Sequence, residues 1–168
     1  REEKNPKIII GRDTRLSGTM LESALAAGIC SAGGNVHLLG VIPTPAVSYL
    51  TEKLHASAGV VISASHNPFE DNGIKFFSHT GYKLPDAVED EIAAIVEQPI
   101  DYTQSLTGSS LGRVIEENDL GREYIKHIVA SADRRLNGLK LVMDCANGAN
   151  SLIAPEILRQ LGAHVIPI

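Results

Sequence analysis

Ser65, His66 and Asn67 stand in a row at the end of the apolar run AGVVISA, and Lys75 follows after the loop that ends in Asp71-Asn72-Gly73. Near the start of the chain, GRDTR places Arg12, Asp13 and Arg15 directly after another apolar run, PKIIIG. A hydroxyl, an imidazole, an amide and several cations suit phosphate chemistry: Arg and Lys neutralise phosphoryl oxygens, and a serine can hold a phosphoryl group. Acyl chemistry fits less well. Ser65 lacks the flanking glycines of a G-x-S-x-G elbow, and a histidine adjacent in sequence is poorly placed to act as base for its neighbour's hydroxyl. Each residue also has an ordinary reading. Asn67-Pro68 makes a turn, with Ser65 and His66 bonding its backbone. Asp71-Asn72-Gly73 makes a tight entry to a hairpin, and Lys75 is an edge lysine that discourages aggregation. Arg12, Asp13 and Arg15 form a surface ion-pair cluster, or Asp13 caps the helix that follows. What favours chemistry is their convergence on one strand edge.

The elements that must position them follow from hydrophobic periodicity. PKIIIG is a short β-branched run suited to a strand buried on both faces. In LSGTMLESALAAGICSAGG the residues Met20, Leu21, Ala24, Leu25, Gly28 and Ile29 share one helical face, with Thr19 and Glu22 spaced as a capping box and Gly33-Gly34 at the far end. NVHLLG is a second strand, Thr44-Pro45 opens a helix through Leu54, and AGVVISA is a third strand. Strand, helix, strand, helix, strand with short joints reads as right-handed βαβ units on a parallel sheet. GIKFFSHTGYKL, with its Thr80-Gly81 turn, predicts a hairpin at the sheet edge. PDAVEDEIAAIVEQ predicts an amphipathic helix with Val88, Ile92, Ile95 and Val96 on one face and carboxylates near its positive end. A polar connection spans Gln98 to Gly112, and LGREYIKHIVASADRRL is a further helix.

The fold class expected is therefore α/β: a three-layer α/β/α domain with a mixed, mainly parallel sheet, plus the start of a second similar domain. The second domain is read from LKLVMDCANGANSLIAPEILRQLGAHVIPI, which repeats the opening order of lysine-led strand, small-residue loop, helix and strand. The divisions expected are 1–112 for the first domain, 113–137 for a connecting helix and 138–168 for the opening of the second. The chain begins at Arg1-Glu2-Glu3-Lys4 without an initiator Met and ends on the strand-like AHVIPI, the pattern of a fragment. In open parallel sheets ligands bind outside the carboxyl ends of the strands, which selects the loops GRDTR, SASHNPFEDNG and DCANGA, the first two on the same edge.

Composition narrows the partners. With 168 residues, 43% hydrophobic content and a net charge of -5, the chain can build an ordinary core but offers no basic stripe for nucleic acid or an anionic membrane. No apolar run reaches the length of a membrane span. Cys30 and Cys145 form no metal-binding spacing and read as reduced, structural residues of a cytoplasmic protein. His37, His55, His79, His127 and His164 stand alone and receive no role.

ISASHNPFEDNGIKFF, with its Ser-His-Asn-Pro core followed by Asn-Gly-x-Lys, resembles the phosphoserine loop of the α-D-phosphohexomutases. IIIGRDTRLSGTMLESALAAG, GVIPTPAVSYL, GYKLPDAVEDEI and VMDCANGAN resemble the corresponding stretches of family members that act on glucosamine 6-phosphate, from about Pro6 to the end of the chain. The resemblance implies that Ser65 carries a phosphoryl group, gives it to a sugar 6-phosphate to form a 1,6-bisphosphate, and recovers the other phosphoryl group after the intermediate reorients. Glucosamine or hexose 1,6-bisphosphate would act as activator. By the same resemblance, His66, Lys75 and Arg15 join Ser65 as catalytic candidates, with Lys75 the general acid/base, and Arg12, Asn67 and Ser63 bind phosphate or support the loop. A lysine in that role needs its pKa lowered by burial or by neighbouring cations, and Arg15 could supply the second effect.

A phosphoserine, with a charge of about -1.5 to -2, calls for a cation. The family resemblance implies Mg2+, held by the phosphoryl group on Ser65 and by aspartates of a DGDGDR-like loop that this sequence lacks. The family's Gly-Thr-Asp-Gly-Ile-Arg-Gly start is also missing, so the partners implied are a phosphosugar and the remaining domains of the same chain, and the chain in isolation is expected to be inactive. Three other readings stay open: a member selecting mannose or glucose phosphates, a non-catalytic phosphosugar-binding module, and a serine hydrolase.

Overall fold

In a computed structural model, residues 5–99, 106–117 and 119–168 are described. The expected start at residues 1–4 and part of the expected 98–112 connection lie outside them. Three parallel strands form the centre: β1 (Lys7–Arg12), β2 (Asn35–Val41) and β3 (Ala58–Ile62). They are joined by α1 (Gly18–Ser31) and α2 (Thr44–Lys53). Residues 59–62 of β3 and 9–11 of β1 are buried throughout, as strands covered on both faces must be. The sheet order is β4-β3-β1-β2-β5, with β4 (Ile74–Ser78) antiparallel to β3 at one edge and β5 (Val114–Glu116) at the other. The hairpin expected there closes through a Phe77–Lys83 bridge and the Gly81 N–H donated to the Ser78 carbonyl.

Alternation of side chains along the strands separates two cores. Ile9 and Val61 point to one face, where they meet Val47 and Leu50 of α2. Ile10, Val60 and Ile62 point to the other, against Ala26, Leu25 and Ile29 of α1. One helix lies on each face, which produces the three-layer α/β/α arrangement.

Several local expectations shift. The buried stripe of α1 runs through Leu21, Glu22, Leu25, Ala26 and Ile29, leaving Met20, Ala24 and Gly28 exposed. Glu22 is therefore unavailable for a capping box: its carboxylate accepts from Arg12 Nε at 3.1 Å, and Ser17 at the helix start makes no side-chain cap. Pro43, not Thr44, occupies the cap position of α2. The third helix, α3 (Asp86–Val96), forms where predicted, yet none of its residues is buried, with Ile95 66% and Val96 78% exposed. On its apolar face only Ile92 is half-buried, while Val88, Ile95 and Val96 are exposed.

Beyond the 3-10 turn Gly108–Ser110, the chain adds β5 (Val114–Glu116), a three-residue edge strand that the sequence reading does not anticipate. It pairs in parallel with β2, and His37 Nδ1 lies 2.7 Å from Glu117 Oε1 across that edge. Then α4 (Leu120–Ser131) packs Tyr124 and Ile125 against the α2 core, with Tyr49 stacked on His127 at 4.0 Å. The repeated pattern at the end folds as β6 (Lys140–Met143), α5 (Ala154–Gln160) and β7 (His164–Pro167), with β6 and β7 a parallel pair. Ile153 joins the core beneath Tyr124 and Ile125, so this second unit rests on the first through α4. No helix among the described residues is long and apolar enough to cross a membrane.

Candidate active site

Strand β3 ends at Ile62, and the backbone then leaves the sheet through a tightly held loop. Ser63 is 7% exposed. Its N–H donates to the Gly73 carbonyl at 2.8 Å, closing the base of the loop, and its hydroxyl accepts the Ser65 N–H at 3.1 Å. Gly73 is needed for that closure, because a Cβ there would stand 2.8 Å from the Ser63 carbonyl oxygen, inside van der Waals contact. The Asn67 N–H turns back to the Ala64 carbonyl at 3.1 Å.

Within this frame Ser65 adopts φ of +58°, a left-handed conformation that costs an L-residue roughly 1–2 kcal/mol. Such strain persists only where surrounding contacts over-determine it, and it concentrates at functional sites. The conformation lifts the Ser65 side chain into solvent, with Oγ 3.3 Å from His66 Nδ1. Sequence adjacency argues against a contact between that histidine and its neighbour's hydroxyl, but the left-handed turn brings the two within long hydrogen-bond reach. Among the described residues no carboxylate is bonded to the imidazole, so the orienting third member of a hydrolase triad is not in place.

The loop after β1 forms the facing wall. Asp13 does not cap α1. Its Oδ1 accepts the Arg15 N–H at 3.0 Å and its Oδ2 lies 3.5 Å from Arg15 Nε. Arg15 Nη2 crosses to the serine loop and donates to the carbonyls of Ser65 at 3.3 Å and Asn67 at 2.9 Å. The Ser17 hydroxyl bonds the Asn72 side-chain oxygen, a second tie between the two loops.

These loops border an open cleft of about 1240 Å³, which gathers Ser63, Ser65, His66, Asn67 and Arg15. Two predicted residues are not brought into it. Arg12 lies back over α1 and is held by Glu22. Lys75 is exposed on β4 opposite Val61, away from the cleft lining. Conversely, the cleft includes residues that the sequence reading passed over. Pro43 and Thr44 reach it from the end of β2, and Leu16, Met20 and Phe69 give it an apolar rim. The loop after β6, selected from the sequence as DCANGA, also lines the cleft with Cys145, Ala146, Gly148 and Ala149, and Asn150 follows it there. Cys145, expected to be reduced, is a free, half-buried thiol, and it lines the cleft. Pro43 and Thr44 follow the carboxyl end of a parallel strand, the signal that could have found them and the one that did select the β6 loop as DCANGA. No group of three or more His, Cys, Asp or Glu side chains among the described residues is arranged to hold a metal ion.

Comparison with known proteins places this geometry. Residues 1–103 match the family phosphoglucomutase/phosphomannomutase, alpha/beta/alpha domain I. A phosphoglucosamine mutase of Moorella thermoacetica is 57% identical over 159 residues, 95% of this chain and 36% of that protein. A phosphoglucosamine mutase of Pelotomaculum thermopropionicum is 56% identical over 168 residues, 100% of this chain and 38% of that protein. The chain thus spans little more than a third of the curated relatives it matches. Among solved structures, a protein of Thermus thermophilus provisionally named a phosphomannomutase superimposes with a TM-score of 0.82 at 27% identity, covering 98% of this chain and 37% of the other.

Proposed function

The chain belongs to the phosphoglucomutase/phosphomannomutase family, and on that premise we propose that it forms the phosphoserine-bearing part of a cytoplasmic phosphoglucosamine mutase. The observation that carries the reading is the Ser65 hydroxyl, exposed at the carboxyl edge of a parallel sheet on a strained residue whose backbone is bonded on both sides. A phosphoryl group presented from so rigid a base needs little reorganisation during transfer. Relatives 56–57% identical across nearly the whole chain bear the name phosphoglucosamine mutase, which favours glucosamine phosphate as the sugar.

In this reading a sugar hydroxyl of glucosamine 6-phosphate attacks the phosphorus on Ser65. A new P–O bond forms to the sugar, the P–Oγ bond breaks, and the sugar hydroxyl's proton passes to a base while Ser65 Oγ is reprotonated. The 1,6-bisphosphate then reorients and returns its other phosphoryl group to Ser65, releasing glucosamine 1-phosphate. His66 Nδ1, 3.3 Å from Oγ, is the near group able to exchange a proton with the serine oxygen. The acid/base role of Lys75 and the phosphate-binding roles of Arg12 and Asn67 rest on the family resemblance. Because Lys75 is exposed outside the cleft lining, that role depends on how the remainder of the protein closes over β4.

The family is generally magnesium-dependent. A magnesium ion neutralises phosphoryl charge when bound, but the described residues do not make a site for it on their own. The ligand this chain would offer is an oxygen of phosphorylated Ser65, and the others must come from further domains. The isolated chain is accordingly expected to show no turnover.

The test is phosphopeptide mass spectrometry on the full-length protein, before and after incubation with a hexose 1,6-bisphosphate and Mg2+. Phosphate localised to Ser65 supports the carrier role, whereas a bare Ser65 in folded protein under both conditions refutes it. The 27%-identical neighbour named for mannose phosphate favours a second sugar, so turnover of glucosamine, glucose and mannose 6-phosphates should be compared directly.

A further inference from the structure

Family resemblance places Arg15 among the cations that act on phosphate or on a neighbouring base, but its contacts describe a different task. The Arg15 side chain is only 10% exposed. A single nitrogen, Nη2, donates to two carbonyls, those of Ser65 and Asn67, which are two residues apart on the opposite loop. Nε is turned toward Asp13 Oδ2 at 3.5 Å and has no hydrogen-bond partner of its own. The guanidinium thus lies between one carboxylate and two backbone oxygens, with its planar fork directed at the main chain of the serine loop.

We infer that Arg15 is the positioning residue of the serine loop, a guanidinium clamp that holds Ser65 in its left-handed conformation. The backbone contacts on the other side come from within the loop itself: Ser65 N–H to Ser63 Oγ and Asn67 N–H to the Ala64 carbonyl. Those bonds fix the amide groups and leave the carbonyls of Ser65 and Asn67 unheld. Arg15 fixes the carbonyls. Together they bond both ends of the Ser65-His66-Asn67 turn, as a strained residue requires if it is to persist. Asp13 orients the clamp by holding the Arg15 N–H and facing Nε. The consequence for phosphoryl transfer rests on the function proposed above; the clamp itself does not.

A clamp and a simple cation differ in their response to lysine. An ammonium keeps the charge, but it is a compact donor on a flexible stem and cannot face Asp13 while spanning both carbonyls in a fixed plane. The experiment is hydrogen–deuterium exchange of the full-length protein, followed in peptides covering residues 63–73, with Arg15→Lys and Arg15→Gln. Both variants are expected to exchange about tenfold or more faster in those peptides, with lysine failing to rescue, while peptides from β2 keep their protection. Phosphate occupancy of Ser65 after incubation with a hexose 1,6-bisphosphate and Mg2+ should fall alike in both. Wild-type exchange in Arg15→Lys would show that charge alone suffices and overturn the proposal, as would unchanged exchange in Arg15→Gln. If wild-type Ser65 never takes up phosphate, the mutase reading fails, and the exchange data still decide the clamp. Should both Arg15 variants fail to fold, Asp13→Asn decides: it keeps the shape of the side chain and removes the charge facing Nε, so faster exchange in 63–73 supports the clamp and no change refutes it.

Discussion

Replacing Ser65 by glycine should stabilise the fold relative to alanine at the same position, even though both remove the proposed phosphoryl carrier. At φ of +58° any residue with a Cβ bears a cost of roughly 1–2 kcal/mol that glycine escapes. Against this, glycine has more freedom to lose from the unfolded chain, a penalty of about 0.5–1 kcal/mol. The hydroxyl's contact with His66 Nδ1 is long, at 3.3 Å, and exposed. Both variants lose it, so it cancels in the comparison. The Ser65 N–H bond to Ser63 Oγ and the carbonyl bond to Arg15 involve only backbone atoms of Ser65 and survive in both. What remains is a net advantage of about 0.5–1 kcal/mol for Ser65→Gly over Ser65→Ala. Urea unfolding of the unphosphorylated full-length protein, read by hydrogen exchange of peptides from β1 and β3, isolates the unit that carries the loop. Equal stability of the two variants, or greater stability of the alanine variant, would refute the claim that Ser65 stores backbone strain. Its trade of stability for a presented hydroxyl is the kind expected at a working site.

Gly59→Ala should cost about 2–3 kcal/mol in chemical denaturation, because its Cβ would lie 2.0 Å from Oγ1 of Thr51, a fully buried side chain whose hydroxyl already donates to the Val47 carbonyl. Glu117→Ala removes the 2.7 Å contact to His37 that fastens the short strand β5, and amides of 114–117 should lose protection worth about 0.5–1.5 kcal/mol while β1 and β3 keep theirs. Burial raises the Tyr124 phenol above its usual value of 10.0, so the folded state retains its proton where the unfolded chain gives it up. The sign is fixed by that direction: the contribution is whole below pH 10 and declines as pH rises from there through the folded value. A Tyr124→Phe variant should therefore lose less stability than wild type when unfolding is compared at pH 9 and above pH 10.

The residues that name the chemistry were readable from the chain alone. Ser65, His66 and Asn67 interrupt a β-branched run, and the rule that ligands gather at the carboxyl ends of parallel strands is enough to put GRDTR and SASHN on one edge. The runs of β1 and β3 were equally legible, since a strand covered on both faces has to be apolar throughout. The apolar face of α3 was legible as a pattern, and only the tertiary structure reveals that Val88, Ile95 and Val96 on it stay exposed. Partner choice was not legible. Arg12 and Arg15 lie three positions apart in one short motif, yet the first is held by Glu22 on α1 and the second by carbonyls of a loop about fifty residues away. A guanidinium bonds whichever acceptor the folded chain brings within about 3 Å, and that distance has no trace in local spacing. The same holds for Cys145 and Asn150, which reach the cleft because Ile153 docks beneath Tyr124 and carries the second unit with it. Which chemical groups are available is a property of composition and pattern along the chain, whereas which of them meet is decided by long-range packing.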